Sequence, residues 1–562
     1  MSERAAERRT DPRRGIAVRV GLTLTATGIV SAAIDRRALA GTPNDVPLAV
    51  GFGLFVALLL MATLQRPTPG AVWLALGAMS LVYMLAAAEL ASSVIGMVSY
   101  LLFALGAVLV TAPYLRPLMV AAFALWTPAL WAFGPTDALD ELPGALRVAA
   151  VAALAFTVIA IADPRRTHPS DRLRHTGYGV LAIAVVSASI NRSLVVSSSN
   201  LAPGEALALV SAVVLPVLSF SRMRTETREL LATAVALTTF AFVGLALIVG
   251  KPYHVDVVAA VHHAAELLLA GQDPYATFDL PQALARFNLD PELATHLLNG
   301  DVVHTFNYPP VAFLIVAPFV WLGIDDIRWI YLGEVLIIAI LAIRQLRPTW
   351  RAFALAALIG SEIVTRQWIL AGIDPSWALF VLAAWLLRRR RWTSSILFGL
   401  AIADRQPAWF VTPFFLLAIA EQTSGREALR RAAIAFGAAL AISIPFIIGA
   451  PARAIGGILA PLLAPLVSDG VGLMRYGAAG YFPQPDRLVY TFLSVAALVG
   501  LLVLLWRRPR DLAGAPLVWP FLPLYLAWRS LANYFAAAPL FAFIADDELA
   551  DAALDATPES PT

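Results

Sequence analysis

The chain reads as an all-α polytopic membrane protein, and three observations lead there. Of its 562 residues, 59% are hydrophobic and only 14% are charged, whereas soluble domains carry about 25% charged residues. Mean hydropathy is +0.75. Apolar runs of roughly 18 or more residues recur along the whole length, which is what a helix needs to cross a bilayer. The runs are continuous rather than alternating, so a membrane β-barrel is excluded.

The rest of the composition narrows the function. There are no cysteines, which rules out disulfides, thiolate metal sites and cysteine nucleophiles. The net charge is +3; it sits on arginines in membrane-edge loops and does not form a nucleic-acid patch. Lysine occurs once, at Lys251. The bias to arginine over lysine, with abundant alanine, points to a GC-rich prokaryotic genome and so to a prokaryotic plasma membrane. Residues 1–15 carry five arginines and no adjoining cleavage site. They read as a cytoplasmic tail ahead of an uncleaved first span.

Residues 16–222 divide into eight spans, near 17–34, 46–64, 70–90, 93–112, 115–134, 145–162, 176–190 and 203–220. Loops with Arg66, with Arg116, with Arg165 and Arg166, and with Arg222 and Arg224 fall on the side of the arginine-rich start. The acidic loop from Asp137 to Glu141 falls opposite. This obeys the positive-inside rule. A ninth span at 230–250 then exits outward, and the loop 251–307 is expected to be extracytoplasmic. Later spans are expected near 308–324, 329–343, 352–365, 370–387, 393–404, 407–420, 430–449, 488–506 and 516–545, with a second external stretch at 450–487. Counting parity breaks between 325 and 366, where Arg344, Arg347 and Arg351 want the inside. One span there is short, re-entrant or miscounted.

Two blocks follow: 16–222, with almost no external loop, and 230–545, with the large ones. The first block holds a candidate duplication, Gly28 to Arg36 against Ala184 to Arg192. Chance similarity between small-residue helices accounts for it equally well. Repeated spans are common in transporters. The tail 546–562 is acidic and expected to be disordered.

Chemistry concentrates at membrane edges. Asp256 sits just past the ninth span, and membrane-edge carboxylates are costly unless used. If the chain is helical from Val255, Asp256 and His263 share a face, with Glu266 one turn on. A general base needs only to reach the attacking hydroxyl at about 2.6–3.2 Å. A solvated amphipathic helix is the bland alternative. The row could also take a divalent ion, but no second carboxylate adjoins Asp256 and no metal site is expected.

Gly271-Gln272-Asp273-Pro274-Tyr275 is a turn in which Pro274 restricts Asp273. Asn307-Tyr308-Pro309-Pro310 suits a proline-opened helix start. Arg405, Arg529 and Lys251 break the positive-inside trend at external edges. Each could bind a lipid phosphate or simply snorkel to headgroups. The stretch 450–487, broken by Pro461, Pro465, Pro483 and Pro485, reads as an amphipathic cover on the outer surface. Tyr476, Tyr481 and Phe482 would shape an acceptor groove there.

The order of these features carries a resemblance. It runs from Asp256 through Gly271 to Tyr275, Tyr308-Pro309-Pro310, Gly372-Ile373-Asp374, a cytoplasmic arginine cluster at 388–391, Gly399 to Ala403, Arg405 and Pro407, then Arg529 to Tyr534. Residues 230–545 resemble the GT-C superfamily of polytopic glycosyltransferases, most of all glycosyltransferase family 87. That family includes polyprenyl-phosphate-mannose-dependent mannosyltransferases and related arabinofuranosyltransferases. The resemblance implies a GT-C-like helical bundle with large extracytoplasmic loops, preceded by an extra multi-span block. It implies Asp256 as general base and an inverting transfer from a polyprenyl-phosphate sugar to a lipid or glycan acceptor. Arg405, Arg529 and Lys251 would hold the phosphate, with His263, Tyr275, Tyr308 and Asn533 as further substrate contacts. Family members often carry lysine where Arg405 stands, so the charge is kept. The N-terminal block departs from the family pattern. No cofactor, metal or nucleic acid is implied. The competing functions are a lipid-linked sugar flippase or other transporter, and a polysaccharide ligase or polymerase using a pyrophosphate-linked donor.

Overall fold

The computed structural model describes residues 18–30, 46–63, 169–195, 203–361, 363–478, 480, 482–507 and 515–545. The expected spans at 70–90, 93–112, 115–134 and 145–162 lie outside the described residues. So do both tails, the acidic loop 137–141, one copy's end of the candidate duplication (31–36) and Tyr481.

The described chain is helical almost throughout. Its early helices are α1 (Val18–Val30), α2 (Val46–Ala62), α3 (Pro169–Val195), α4 (Pro203–Phe220), α5 (Thr225–Ile248) and α6 (Asp256–Leu269). After four short helices and a 3-10 turn come α7 (Arg328–Gln345), α8 (Pro348–Ile359), α9 (Ser376–Leu386), α10 (Arg391–Ile402), α11 (Pro407–Gln422), α12 (Gly425–Gly449), α13 (Pro451–Leu463) and α14 (Arg487–Arg507). Among the described residues, the one sheet is a two-residue parallel pairing of Asp469–Gly470 with Arg529–Ser530.

Local chemistry sets the boundaries. Pro348, Pro407 and Pro451 open α8, α11 and α13 at the first turn, where the missing N–H has no intrahelical partner to lose. Ser424 caps α12 by accepting from the Glu427 amide at 3.2 Å. Serine followed three residues later by glutamate is a capping-box sequence. Glu427 also accepts from Arg391 at 2.6 Å and Arg431 at 3.0 Å, tying α10 to α12.

Helices α5, α12 and α14 are long and apolar enough to cross a membrane. Most of the surface of α12 and α14 is exposed apolar side chain, Ile448 and Phe492 among the most exposed; a contiguous apolar face of this kind suits lipid. Three expected spans differ. Residues 308–324 form two short helices, Val311–Leu314 and Ala317–Trp321, because Pro309, Pro310 and Pro318 interrupt the run. Residues 350–370 form a helix bent by 59° at Gly360–Ser361, continuing as π-helix Ile363–Leu370. The bend falls within 325–366, the stretch where the counting parity breaks. Residues 516–545 are divided by the extended Arg529–Ser530 pair.

Two cores result. The larger joins α1–α5 with α7–α11 and the 515–545 segment. The second gathers α6, the short helices of 274–320 and the start of α13. The N-terminal block is not set apart from the first core. Phe52 and Phe55 of α2 meet Phe535 edge-on at 5.4 and 6.3 Å. Tyr525 donates to the Ala49 carbonyl at 2.8 Å, and Trp519 donates to Thr63 at 3.0 Å. From α3, Tyr178 donates to Glu229 of α5 at 3.0 Å.

Candidate functional site

The site begins with how the chain leaves α5. Arg328, fully buried at the start of α7, donates to the carbonyls of Ile248 (3.3 Å), Lys251 (2.5 Å) and Leu370 (3.1 Å). Its charge is met by Asp326 at 2.7 Å, and its guanidinium lies over the Tyr253 ring. A guanidinium has five donors in a rigid fork, so this one side chain fixes the end of α5, the link to α6 and the end of the π-helix together. Tyr253 in turn reaches His262 of α6 at 3.0 Å. Burial holds His262 below its usual imidazole range. Asp256 thereby starts α6 in a determined place, at a helix N-terminus where a carboxylate is favoured.

Asp256 opens onto a cavity of about 530 Å³. Thr295 donates to its carboxylate at 2.5 Å. Burial pushes the carboxyl above the ordinary aspartate range, while the Thr295 hydrogen bond and the Arg529 charge pull it back. Arg529 lines the same cavity, held by the Val467 carbonyl at 3.3 Å.

Arg405 lines the same cavity and is 4% exposed. Its Nε donates to Asp374 at 3.2 Å, its guanidinium stacks 4.0 Å from the Tyr308 ring centre, and its Nη2 has no hydrogen-bond partner. Asp374 also caps α9, accepting from the Ser376 amide at 2.7 Å. Ser376 donates to Glu334 of α7 at 2.8 Å. Asp374, Glu334 and Asp404 thus form a buried acidic group behind one arginine. Gly372 makes this corner possible. Its φ is +68°, and a Cβ there would lie 2.7 Å from Arg328 Cγ.

A strap follows α13 and crosses between the two sides. On one edge, the Val467 amide donates to His296 (3.0 Å) and the Leu298 amide donates to Pro465 (2.7 Å). On the other, Trp528 donates to Leu466 (2.8 Å) and the Val471 amide to Ser530 (2.8 Å). The base-side loop and the Arg529 strand are therefore joined by backbone. Helix α13 lies across Phe306, whose carbonyl leaves no room for a Cβ at Gly457. Gln406 pins the same helix, donating to Asn307 and Ile458 carbonyls at 3.1 and 3.2 Å.

Of the expected site residues, Asp256, Tyr308, Arg405, Arg529 and Asn533 line this one cavity. Three others are placed elsewhere. His263 does not line it; its ring meets Glu266 at 3.3 Å, and Glu266 meets Arg286 at 3.0 Å. Seven helical residues advance about 10 Å, which carries His263 beyond the reach of a group at the helix start. Lys251 does not line the cavity; its carbonyl accepts from Arg328 at 2.5 Å and its amide donates to the Ile248 carbonyl at 3.1 Å. Tyr275 is buried and donates to the Tyr308 carbonyl at 2.6 Å, so the two prolyl elements of the resemblance are bonded to each other. Asp273 caps the short helix Pro274–Thr277 by accepting from the Tyr275 amide at 2.9 Å. Sequence patterning missed Thr295, His296, Gln367 and Gln406. Gln367 sits on the π-helix, a rare conformation frequent at functional sites. Among the described residues, no group of three His, Asp or Glu is placed to hold a metal ion.

A carboxylate sharing one cavity with two arginines would suit transfer of a group from an anionic leaving group, with the cations where charge develops. That arrangement is compatible with group transfer within an apolar helical bundle. Residues 306–456 match the model of glycosyltransferase family 87, in agreement with the resemblance over that stretch and pointing to glycosyl transfer. The matched stretch holds Tyr308, Asp374 and Arg405; Asp256 and Arg529 lie outside it. No curated protein and no solved structure matches the chain.

Proposed function

We propose that the protein transfers a sugar, mannose or arabinofuranose, from a polyprenyl-phosphate donor to a lipid or glycan acceptor at the extracytoplasmic face of a prokaryotic plasma membrane. The observation that carries this is the shared cavity of Asp256, Arg405 and Arg529. Asp256 takes the proton of the acceptor hydroxyl. The hydroxyl oxygen forms the bond to the anomeric carbon from the side opposite the phosphate, and configuration inverts. The carbon–oxygen bond to phosphate breaks with its electron pair on the phosphate, next to Arg405 and Arg529. Polyprenyl phosphate is a stable anion, so the arginines replace a general acid. Tyr308 and Asn533 bound the space left for the sugar.

The test is sugar transfer in membranes from cells expressing the wild type or Asp256→Asn. Radiolabelled polyprenyl-phosphate mannose, then the arabinofuranose donor, is supplied with native lipid extract. Label entering a new glycolipid only with the wild type supports the assignment. Full transfer by Asp256→Asn removes the base.

A further inference from the structure

The base does not stand alone in its cavity. Thr295 donates its hydroxyl to Asp256 Oδ2 at 2.5 Å, across 39 residues of sequence. Both side chains line the cavity. An ionised carboxylate only accepts, so the hydroxyl must be the donor. This uses one of about four acceptor positions on the carboxylate and leaves others to an incoming hydroxyl.

Thr295 is itself firmly placed. Asp290 caps the short 3-10 turn before it, accepting from the Glu292 amide at 2.9 Å. The Thr295 carbonyl accepts from the Val303 amide at 2.8 Å. His296 pairs with Val302, and Leu297 pairs with Leu466 of the strap. A β-branched side chain has few χ1 choices, so a fixed backbone here means a fixed hydroxyl.

We propose that Thr295 is the positioning residue of the base: its hydroxyl aims the Asp256 carboxylate at the acceptor hydroxyl. This rests on the reading of Asp256 as general base. Two effects combine. The hydrogen bond locks the carboxylate rotor, so a hydroxyl entering the cavity meets one oriented oxygen rather than a turning group. It also stabilises the charged form, opposing the burial that raises proton affinity. The acceptor proton passes to Asp256, not to Thr295, and Thr295 makes no covalent bond.

The test pairs Thr295→Val, which keeps the shape and loses the hydroxyl, with Thr295→Ser, which keeps the hydroxyl. Two readouts are taken on the full-length protein in membranes. The first is transfer kinetics against pH. Thr295→Val is expected to lower kcat about 10- to 100-fold, the size of one hydrogen bond to a charged group. KM for the donor should hold, and the acid limb of kcat/KM should move to higher pH. Thr295→Ser should recover most of the rate and the wild-type limb.

The second readout needs no turnover. A hydrophobic carbodiimide reacts with protonated buried carboxyls, and labelling of the Asp256 peptide is followed by mass spectrometry against pH. Its midpoint should rise in Thr295→Val and stay in Thr295→Ser. A Thr295→Val protein with wild-type kcat and wild-type labelling midpoint overturns the proposal while leaving the transferase reading intact. If the wild type transfers no sugar from any polyprenyl-phosphate donor, the transferase reading fails, and an unmoved labelling midpoint overturns the Thr295 role independently.

Discussion

Arg405 Nε donates to Asp374 Oδ2 at 3.2 Å, and the same guanidinium sits over the Tyr308 ring, 4.0 Å from its centre. The pair fixes both the position and the plane of a cation at the cavity wall. Arginine can be held this way because its charge is spread over a plane, with donors left over after one is engaged. The unpartnered Nη2 shows that capacity remaining. A buried charge with spare donors at a cavity wall is what a phosphate oxygen would complete.

Replacing Arg405 should therefore discriminate by geometry. Arg405→Ala is expected to lower kcat/KM more than about 100-fold, since it removes the charge from a buried acidic surround. Arg405→Lys keeps the charge but not the stacked plane, and should cost about tenfold. Asp374→Asn should lie between them, with the loss chiefly in kcat, because Arg405 remains charged but loosely held. Steady-state kinetics against donor concentration would read all three. Equal activity of Arg405→Lys and Arg405→Ala would deny the cation a part.

The activity should fall on acidification well before an ordinary aspartate titrates. Burial raises the Asp256 pKa, with Thr295 and Arg529 opposing. The base works only when ionised, so the acid limb of kcat/KM should lie above the model-peptide value of about 3.9. Arg529 opposes the rise. Arg529→Gln should therefore move the limb to still higher pH, in addition to any loss of rate. A limb that shifts downward in Arg529→Gln would contradict the sign.

Two glycines should resist even alanine. At Gly457, a Cβ would strike the Phe306 carbonyl and lift α13 from the loop that leads to Tyr308. Gly457→Ala should leave the bundle folded yet reduce transfer about tenfold or more, because misplacement of about 1 Å can cost 100-fold. Gly372→Ala should instead destabilise. It meets Arg328 and adopts a positive φ, which costs about 1–2 kcal/mol before the clash is counted. Thermal denaturation in detergent beside the transfer assay separates the two outcomes.

What the sequence made legible follows from range. Helices α5, α12 and α14 stood out because a long apolar run is a local signal. Asp256, Arg405 and Arg529 stood out because charge beside such a run is anomalous. Thr295 and Gln406 did not, since a threonine and a glutamine in polar loops look ordinary. Their roles arise from the Leu297–Leu466 pairing and the Gln406–Ile458 contact, joining segments far apart in sequence. His263 shows the converse limit. Helical spacing put it on the face of Asp256, but not at the same depth along the axis, and there it meets Glu266, which in turn pairs with Arg286. The run 308–324 looked like a span because hydropathy does not register that Pro309, Pro310 and Pro318 break it into pieces that fill the second core.

The N-terminal block should prove necessary to the site rather than appended to it. Helix α2 packs Phe52 and Phe55 against Phe535, two residues beyond Asn533 in the turn that lines the cavity. Phe52 is fully buried, and Phe→Ala substitution in a core typically costs about 3–5 kcal/mol. Phe52→Ala should lower the unfolding temperature and weaken transfer beyond what the loss of folded protein explains, since the Asn533–Tyr534 turn loses its backing. Phe492→Ala, 71% exposed on the apolar face of α14, is the matched control and should change neither. If Phe52→Ala lost stability while keeping wild-type kcat per folded molecule, α2 would be a structural prop without influence on the cavity.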